Sequence, residues 1–393
     1  MTGPTDQTPP LDPSAPSPEP ADQPGRPGTS TFTIEGRAAP GLFVLGWLAT
    51  LVGLGAIFVG LMSSPGTRAP FAPGPILLFI GLVLLAVGLV AGAGGQAIER
   101  RARGGRAYSG PSPFLVFAAG IPISGLLLIA VGALFGAIGI AVDGPLGRLA
   151  SVLLQAAVYI GLIRLLVVDS GALSWAAMGI TRPTTESIAD LLRGAGWALP
   201  VIAATIPIAA IVTRFLPVPP QSPLPPTGDL PGLLINLAAG VIIAPISEEI
   251  MFRAFATTAW MADMGKWRGV IRGALFFALV HVLTISGAEA SQAAGVAFTA
   301  FLGRIPVALA LGWLFARTRT IWAPLGLHAA FNGILLVLAE AAAAVPVAVV
   351  GTALLMGVAP ARRHPRRAAA NNDRVPRFRA QVCTPTRTNF AWA

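Results

Sequence analysis

Lysine and cysteine are almost missing from this chain, because each occurs only once, at Lys266 and Cys383. A single cysteine excludes an intrachain disulfide and any metal cluster built on several cysteines, and its distance from the carboxyl end excludes a prenylation signal. Charged residues are also scarce, at 11% against 54% hydrophobic residues, and the mean hydropathy is +0.72. This composition excludes an ordinary soluble domain and predicts a polytopic membrane protein.

The positive charge of the chain, formally +10, comes almost wholly from arginines that lie between and after the apolar runs. Such a placement is typical of membrane topology, so we infer no nucleic-acid partner. Residues 1–36 are rich in Pro, Ser, Thr, Asp and Gly, and this composition predicts a disordered tail. The tail lacks the basic start and short apolar core of a cleavable signal peptide, so we expect the first spanning helix to act as the insertion signal.

Apolar runs dominate the middle of the chain, and a membrane-spanning helix needs ~20 mostly apolar residues. We count ten candidate segments of an all-α transmembrane bundle, at 39–62, 74–95, 113–140, 146–168, 195–215, 231–262, 270–286, 292–315, 321–339 and 341–359. Glu340 and Pro346 interrupt the stretch that holds the last two, and an alternative count merges or submerges one segment. The chain has no convincing internal repeat, which weakens a transporter interpretation.

Basic residues cluster in alternate connections between these segments, as expected of short cytoplasmic loops. The connections at 63–73 and 216–230 hold only Arg68 between them. The clusters follow every second segment, at Arg100, Arg101, Arg103, Arg106, Arg182, Arg193, Lys266, Arg268, Arg317, Arg319, Arg362, Arg363, Arg366 and Arg367. Both termini are therefore predicted to be cytoplasmic, in an integral protein of the inner or plasma membrane.

Two adjacent carboxylates and an arginine, Glu248, Glu249 and Arg253, lie inside the sixth apolar run. A charged side chain at the bilayer centre costs ~2.5 to 3.5 kcal/mol on insertion scales, so this group needs partners, water or a chemical task. Glu249 and Arg253 share a helix face, where they can form an ion pair. Pro245 disturbs the helix just before the acids, so we expect Glu248 to point inward without a local partner.

Two of the three histidines, His281 and His328, also lie within predicted spans, and the third, His364, lies in the basic tail. His281 follows Phe277 by four residues and His328 precedes Asn332 by four, so the members of each pair share a helix face. The depth of these groups in the bilayer can be compared because a helix rises ~1.5 Å per residue.

Glu248 lies ~22 Å from the cytoplasmic end of its segment, His281 ~16 Å and His328 ~12 Å. All three therefore fall at middle to cytoplasmic depth, where they can meet. Taken separately, each group also has a structural explanation. The acids and the arginine can form a buried ion-pair network, His281 an interhelical hydrogen bond, and Phe277 a packing contact.

Three spaced motifs occur in order along these segments, namely EExxxR at Glu248, Glu249 and Arg253, FxxxH at Phe277 and His281, and HxxxN at His328 and Asn332. With these motifs, the chain resembles the CPBP family of intramembrane proteases over roughly residues 175–340. That family includes the CAAX prenyl endopeptidases and the Abi-type bacteriocin-processing and immunity proteins. The resemblance implies an endopeptidase in which Glu248 and His281 hold and deprotonate a water, while His328 and Asn332 stabilise the oxyanion. The supporting residues would be Glu249, Arg253 and Phe277.

The resemblance leaves the metal, the substrate and the activity open. Glu and His side chains can equally ligate zinc, so Glu248, His281 and His328 are the candidate ligands of a metalloprotease, although we favour a metal-independent or weakly metal-associated, glutamate-type mechanism. The expected partners are the lipid bilayer and a peptide or membrane-protein substrate, either of the CAAX type or a bacteriocin or membrane peptide. The alternative is a non-catalytic membrane protein, either transporter-like or conferring immunity or acting as a scaffold.

Arg304 and Pro306 are unusual inside the eighth segment, and they indicate either a snorkelling side chain with a kink or a cavity-facing charge near the substrate. The expected division of the chain has five parts. These are a disordered tail at 1–36, N-terminal transmembrane helices of unassigned role at 37–170, a CPBP-like core at 171–345, a last apolar segment at 346–360 and a basic tail at 361–393.

Overall fold

The computed structural model describes residues 34–63, 72–215, 224–282 and 290–355, and the regular secondary structure within these ranges is helical. In chain order the helices are α1 Pro40–Met62, α2 Pro73–Arg103, α3 Pro113–Ala137, α4 Pro145–Val168, α5 Thr185–Gly196, α6 Ala198–Phe215, α7 Leu230–Met264, α8 Lys266–Val280, α9 Ala290–Thr318 and α10 Trp322–Leu355. This architecture, together with the apolar length of the helices, confirms the predicted polytopic helical bundle.

The number of spans differs from the prediction, since eight helices among the described residues are long and apolar enough to cross a membrane. The seventh predicted segment, 270–286, is wrong as a full span because α8 has only 15 residues, a length of ~22 Å. The described part of the last two predicted segments, 321–339 and 341–359, is one continuous helix, α10.

Glu340 explains why the last two segments form one helix. Its carboxylate accepts hydrogen bonds from the backbone N–H groups of Thr227, at 2.9 Å, and of Gly228, both in the connection that precedes α7. The acid is therefore satisfied by a distant part of the chain and does not interrupt α10. A hydropathy pattern carries no information about such a partner. A charged residue inside an apolar run therefore predicts the end of one segment and separates it from the next.

Contacts between connections define one face of the bundle, called here the first face. The backbone N–H of Tyr108, between α2 and α3, donates to Asp263 near the end of α7 at 3.3 Å. The N–H of Ile321, between α9 and α10, donates to the carbonyl of Gly179, between α4 and α5, at 3.2 Å. The first face thus gathers connections that carry arginines. That this face is cytoplasmic, and on which side each terminus lies, stays a prediction.

Several other expectations fall outside the described residues. These are most of the tail at 1–36, the basic tail at 361–393 with His364, and the start of the connection at 216–230. They stay predictions, as does the division of the chain into five parts.

The central helix of the bundle is α7, which contacts α3, α4, α8, α9 and α10. Its middle is completely enclosed, since Met251 and Phe255 have no exposed surface. The ring of Phe252 packs against Phe117 of α3 and Phe276 of α8, with ring centroids 5.9 and 5.3 Å apart. Aromatic contacts of this kind hold α7 in a fixed rotational position relative to its neighbours.

Two glycines let α5 lie directly on the start of α10. A Cβ atom at Gly194 would overlap the carbonyl oxygen of Ala323, and one at Gly326 would overlap the carbonyl oxygen of Leu191. Glycine is therefore required at both positions for this close approach. The contact fixes the start of α10, and with it the depth of His328, which lies six residues into the helix.

Candidate active site

The helix that carries both acids alternates between α and π geometry. It is π-helical over Ala238–Ile243, α-helical over Ala244–Glu248 and π-helical again over Glu249–Thr257. The hydroxyl of Thr257 donates to the carbonyl of Phe252, five residues back, at 2.7 Å, which supports the wider turn. Such π segments are frequent at functional sites, because they rotate the side chains that follow relative to a regular α-helix.

Pro245 leaves one backbone carbonyl of the first π segment without an intrahelical donor. The N–H of Ala244 donates to the carbonyl of Ala239, five residues back. The next donor in this pattern would be the N–H of Pro245 to the carbonyl of Gly240, but proline has no N–H. The side-chain amide of Asn332 in α10 takes its place, with Nδ2 donating to the Gly240 carbonyl at 2.9 Å. Asn332 therefore joins α10 to α7 at the site.

Glu249 bridges Arg253 and His328 at the centre of the bundle. Its Oε2 atom lies 3.3 Å from Nε of Arg253, and its Oε1 atom lies 2.7 Å from Nδ1 of His328. The side chain has no exposed surface. Because the carboxylate paired with a guanidinium is an acceptor, Nδ1 of His328 carries the proton of that bond. The pair fixes the imidazole so that its Nε2 atom faces Glu248.

His281 lies immediately after the last residue of α8 and is fixed by the backbone. Its Nδ1 atom is 2.7 Å from the carbonyl oxygen of Phe277, one helical turn earlier. A carbonyl can only accept, so Nδ1 carries the hydrogen and Nε2 is left with its lone pair in the neutral imidazole. That Nε2 atom lies 3.7 Å from Oε2 of Glu248.

Both imidazole rings face the same oxygen atom of Glu248. Its Oε2 atom is 3.7 Å from Nε2 of His281 and 3.7 Å from Nε2 of His328. Both distances are too long for a direct hydrogen bond. This oxygen is buried and has no hydrogen-bond partner among the described residues, although the side chain as a whole is 17% exposed. Oε2 of Glu248 and Nε2 of His281 are thus two acceptors at one space, where a water can donate a proton to each, and Nε2 of His328 faces the same space.

Phe277 packs against both Arg253 and the two histidines. The guanidinium carbon of Arg253 lies 4.2 Å from the centre of its ring, which is a cation–π contact. The same ring packs against His281 and His328, with centroids 4.4 and 5.7 Å apart. Phe277 therefore fixes the positions of both imidazoles and covers the guanidinium.

A further charged side chain, Arg304 of α9, lies near this group. It interacts electrostatically with Glu248 and with His281. Its NH1 group donates to the carbonyl of Ala300, one turn earlier, at 3.2 Å. α9 continues through Pro306 as one helix. The choice between a snorkelling side chain with a kink and a cavity-facing charge stays a prediction.

The hypothesis of a zinc site at Glu248, His281 and His328 gains no support from the geometry. Among the residues that the structure describes, no group of three or more His, Cys, Asp or Glu side chains is arranged to hold a metal ion. The histidine nitrogens face a carboxylate oxygen at distances suited to a water that bridges them.

The structure thus brings Glu248, His281 and His328 together, as the depth argument expected, and places Asn332 one turn beyond His328. Two contacts were missed. The spacing predicted a pair of Glu249 with Arg253 alone, whereas Glu249 also binds His328. The bond between Asn332 and Gly240 was also missed, although the proline five residues after Gly240 is a signal that a carbonyl lacks its donor.

Comparison with protein families gives one match, which covers residues 230–334 and is described as type II CAAX prenyl endopeptidase Rce1-like. The matched stretch begins with α7 and ends two residues after Asn332, so it contains all three motifs. The match confirms the resemblance to the CPBP and CAAX protease family. Comparisons with curated proteins and with solved structures gave no match.

Proposed function

We propose that Glu248 and His281 activate a water for peptide-bond hydrolysis inside the bilayer. The proposal starts from the match of residues 230–334 to the type II CAAX prenyl endopeptidase family. The observation that carries the proposal is the convergence of two imidazole nitrogens on one buried oxygen of Glu248, each at 3.7 Å. A carboxylate beside an imidazole acceptor is a competent general base for water.

In the first step, the water donates one hydrogen to Oε2 of Glu248 and the other to Nε2 of His281. As the water oxygen attacks the substrate carbonyl carbon, Glu248 takes the proton that faces it. The π electrons of the carbonyl move to the carbonyl oxygen, which becomes the oxyanion. Collapse of this tetrahedral species breaks the C–N bond, and the proton held by Glu248 passes to the leaving amine. One water is consumed, and a carboxyl and an amine are formed.

His328 is suited to receive the developing oxyanion. With Nδ1–H donating to Glu249 at 2.7 Å, a second proton on Nε2 would make the ring an imidazolium whose Nε2–H points into the same space. Such a donor, held in place before the reaction, stabilises negative charge strongly where water is excluded. The side-chain amide of Asn332 has two N–H groups. One donates to the carbonyl of Gly240, and in this proposal the other donates to the oxyanion.

Glu249, Arg253 and Phe277 act as positioning residues in this proposal. The Glu249 carboxylate determines which nitrogen of His328 faces the substrate, and Arg253 compensates the charge of that carboxylate. Phe277 holds both histidine rings and also supplies the carbonyl that fixes the tautomer of His281.

The substrate is a peptide or membrane protein that enters the bundle from the bilayer. A CAAX-type protein follows from the family, and a bacteriocin leader or other membrane peptide fits the same chemistry. The arginine-bearing first face, proposed to be cytoplasmic, lies ~22 Å from Glu248 along α7.

The test is the substitution Glu248→Gln in the full chain, purified in detergent and assayed on quenched peptides with and without a prenylated CAAX end. We expect cleavage to fall by about 10²- to 10⁴-fold, the usual contribution of a general base. The matched control is Glu340→Gln, which makes the same chemical change in α10, at the contact with Thr227, and should retain activity.

A second arm identifies natural substrates by comparing new protein termini in cells that carry the wild type, Glu248→Gln or Glu340→Gln. Termini lost only with Glu248→Gln are the products. Unchanged cleavage by Glu248→Gln would overturn the assignment of the base. Identical terminus profiles in all three strains, together with no peptide cleavage by the folded wild type, would favour the non-catalytic alternative.

A further inference from the structure

A second cluster of charged side chains surrounds a cavity at the first face, away from the candidate active site. The cavity has a volume of about 340 Å³. Three arginines and one acid line it, namely Arg100, Arg106, Arg272 and Asp263, together with Trp260. Asp263 lies fifteen residues after Glu248 in α7, which is ~22 Å along the helix. The two sites are therefore distinct.

The single acid of the cavity is already engaged. One oxygen of Asp263 accepts the backbone N–H of Tyr108 at 3.3 Å, and the other lies 3.6 Å from NH1 of Arg106. These contacts fix the connection between α2 and α3 on the end of α7. Asp263 thus compensates one arginine and leaves two.

The other two arginines have no carboxylate within ion-pair distance among the described residues. Arg100 donates from NH1 to the carbonyl of Gly110 at 2.8 Å. The guanidinium of Arg272 lies on the rings of Trp260 and Phe114, 5.0 and 5.1 Å from their centres. Stacking leaves the edge of the guanidinium plane, where its N–H groups are, directed away from the rings. The two uncompensated charges, on Arg100 and Arg272, repel each other unless a further anion joins them.

We propose that this cavity binds the phosphate of an anionic phospholipid headgroup. Guanidinium groups recognise phosphate oxygens through paired N–H donors, and basic pockets between the ends of transmembrane helices are suited to lipid headgroups. Arg100 and Arg272 supply the donors, and the buried ring of Trp260 holds the guanidinium of Arg272 in place.

The surface beside the cavity favours a lipid over free phosphate. Ile271, next to Arg272, is 49% exposed, and Leu275 and Leu279 continue the same stripe of α8 at 45% and 52%. This stripe runs from the cavity toward the middle of the bilayer, so an acyl chain attached to the bound phosphate would lie along it. A free phosphate would make no use of this apolar surface.

The experiment uses the full chain, purified in detergent and stripped of lipid. Thermal unfolding gives the unfolding temperature, and native mass spectrometry measures the bound lipid. Phosphatidylglycerol is titrated against phosphatidylcholine and against inorganic phosphate. We expect phosphatidylglycerol to bind and to raise the unfolding temperature, and Arg100→Gln with Arg272→Gln to weaken its binding at least about tenfold, since charge-assisted hydrogen bonds are lost.

The matched control is Arg101→Gln, because Arg101 lies beside Arg100 at the end of α2 but is exposed and does not line the cavity. The control should bind phosphatidylglycerol as the wild type does. If the double variant fails to fold, Arg100→Gln alone provides the comparison, because Arg100 has one distant ring contact, with Tyr108 at 6.0 Å, whereas Arg272 lies on two rings at 5.0 and 5.1 Å. Equal binding by variant and control would overturn the site. Equal stabilisation by inorganic phosphate, or by phosphatidylcholine, would overturn the assignment to an anionic lipid.

Discussion

Two Glu–Arg ion pairs of the same spacing lie in the described part of the chain, one at the end of α2 and one in the middle of α7. Glu99 and Arg103 are four residues apart with 3.3 Å between charged atoms, and Glu249 and Arg253 have the same spacing and the same distance. Their surroundings differ, because the Arg103 side chain is 47% exposed whereas that of Arg253 is 2% exposed. The spacing of the two residues thus does not determine what the pair does.

Each glutamate has a further partner, and the partner reveals the role of the pair. Glu99 accepts the backbone N–H of Ala38 at 3.0 Å, so the pair attaches the start of α1 to the end of α2. Glu249 accepts from His328 at 2.7 Å, so the pair orients an imidazole in the candidate active site. Here the pair at the helix end fastens two chain segments, and the pair in the middle of a span fixes the direction of the His328 imidazole.

The largest expected effect in this comparison comes from Arg253→Gln. The substitution leaves the carboxylate of Glu249 buried without its counter-charge, and breaking a buried pair in this way costs about 3 to 5 kcal/mol. Thermal unfolding of the purified variant in detergent should show a large fall in the midpoint. Endopeptidase activity should also fall, since Glu249 then no longer holds His328 in a single orientation.

The double variant Glu249→Gln, Arg253→Gln removes both charges and separates the two effects. It should recover much of the lost stability, because no unpaired charge remains, while its activity stays low. A single Arg253→Gln variant as stable as the wild type would contradict the buried pair. Full activity in the double variant would contradict the positioning role of Glu249.

An intermediate effect is expected from Asn332→Ala, which removes the donor to the Gly240 carbonyl. A buried acceptor without a partner costs about 1 to 3 kcal/mol. Pro245→Ala should offset part of this loss in the Asn332→Ala background, because the restored backbone N–H can donate to Gly240. A double-mutant cycle of unfolding free energies measures the coupling between the two positions.

The same cycle tests what Asn332 does in catalysis. If its amide also stabilises the oxyanion, the double variant regains stability but not activity. Additive effects of the two substitutions on stability would contradict the explanation of the Pro245 gap. Recovery of both stability and activity would limit Asn332 to positioning.

Much of the site could be predicted from the sequence because ionisable side chains inside apolar runs are few. Glu248, His281 and His328 fell at similar depths by helical rise alone, and the structure places them around one point. The helical bundle followed in the same way from the length of the apolar runs. The type of a residue and its depth along a helix can both be obtained from the sequence, because the rise per residue of a helix is known.

The missed features depend on rotation and on distant partners. The spacing of a regular α-helix predicted the pair of Glu249 with Arg253, which forms, but it did not predict the π segment that begins at Glu249 and changes the rotation of the residues that follow. The contact of Glu249 with His328 depends on the rotation of α7 and on the position of α10. The span count failed for a related reason, since the partners of Glu340 lie more than a hundred residues earlier, at Thr227 and Gly228.

The smallest expected effect comes from Arg103→Gln, the matched change in the pair at the end of α2, whose arginine is exposed although Glu99 is buried. Ion pairs that reach solvent contribute about 0 to 1 kcal/mol and are screened by salt. The unfolding midpoint should therefore fall slightly at low salt and match the wild type at high salt, whereas the loss in Arg253→Gln should not depend on salt. A large, salt-independent loss in Arg103→Gln would mean that burial does not separate the two pairs, and that Glu99 needs its arginine to hold Ala38.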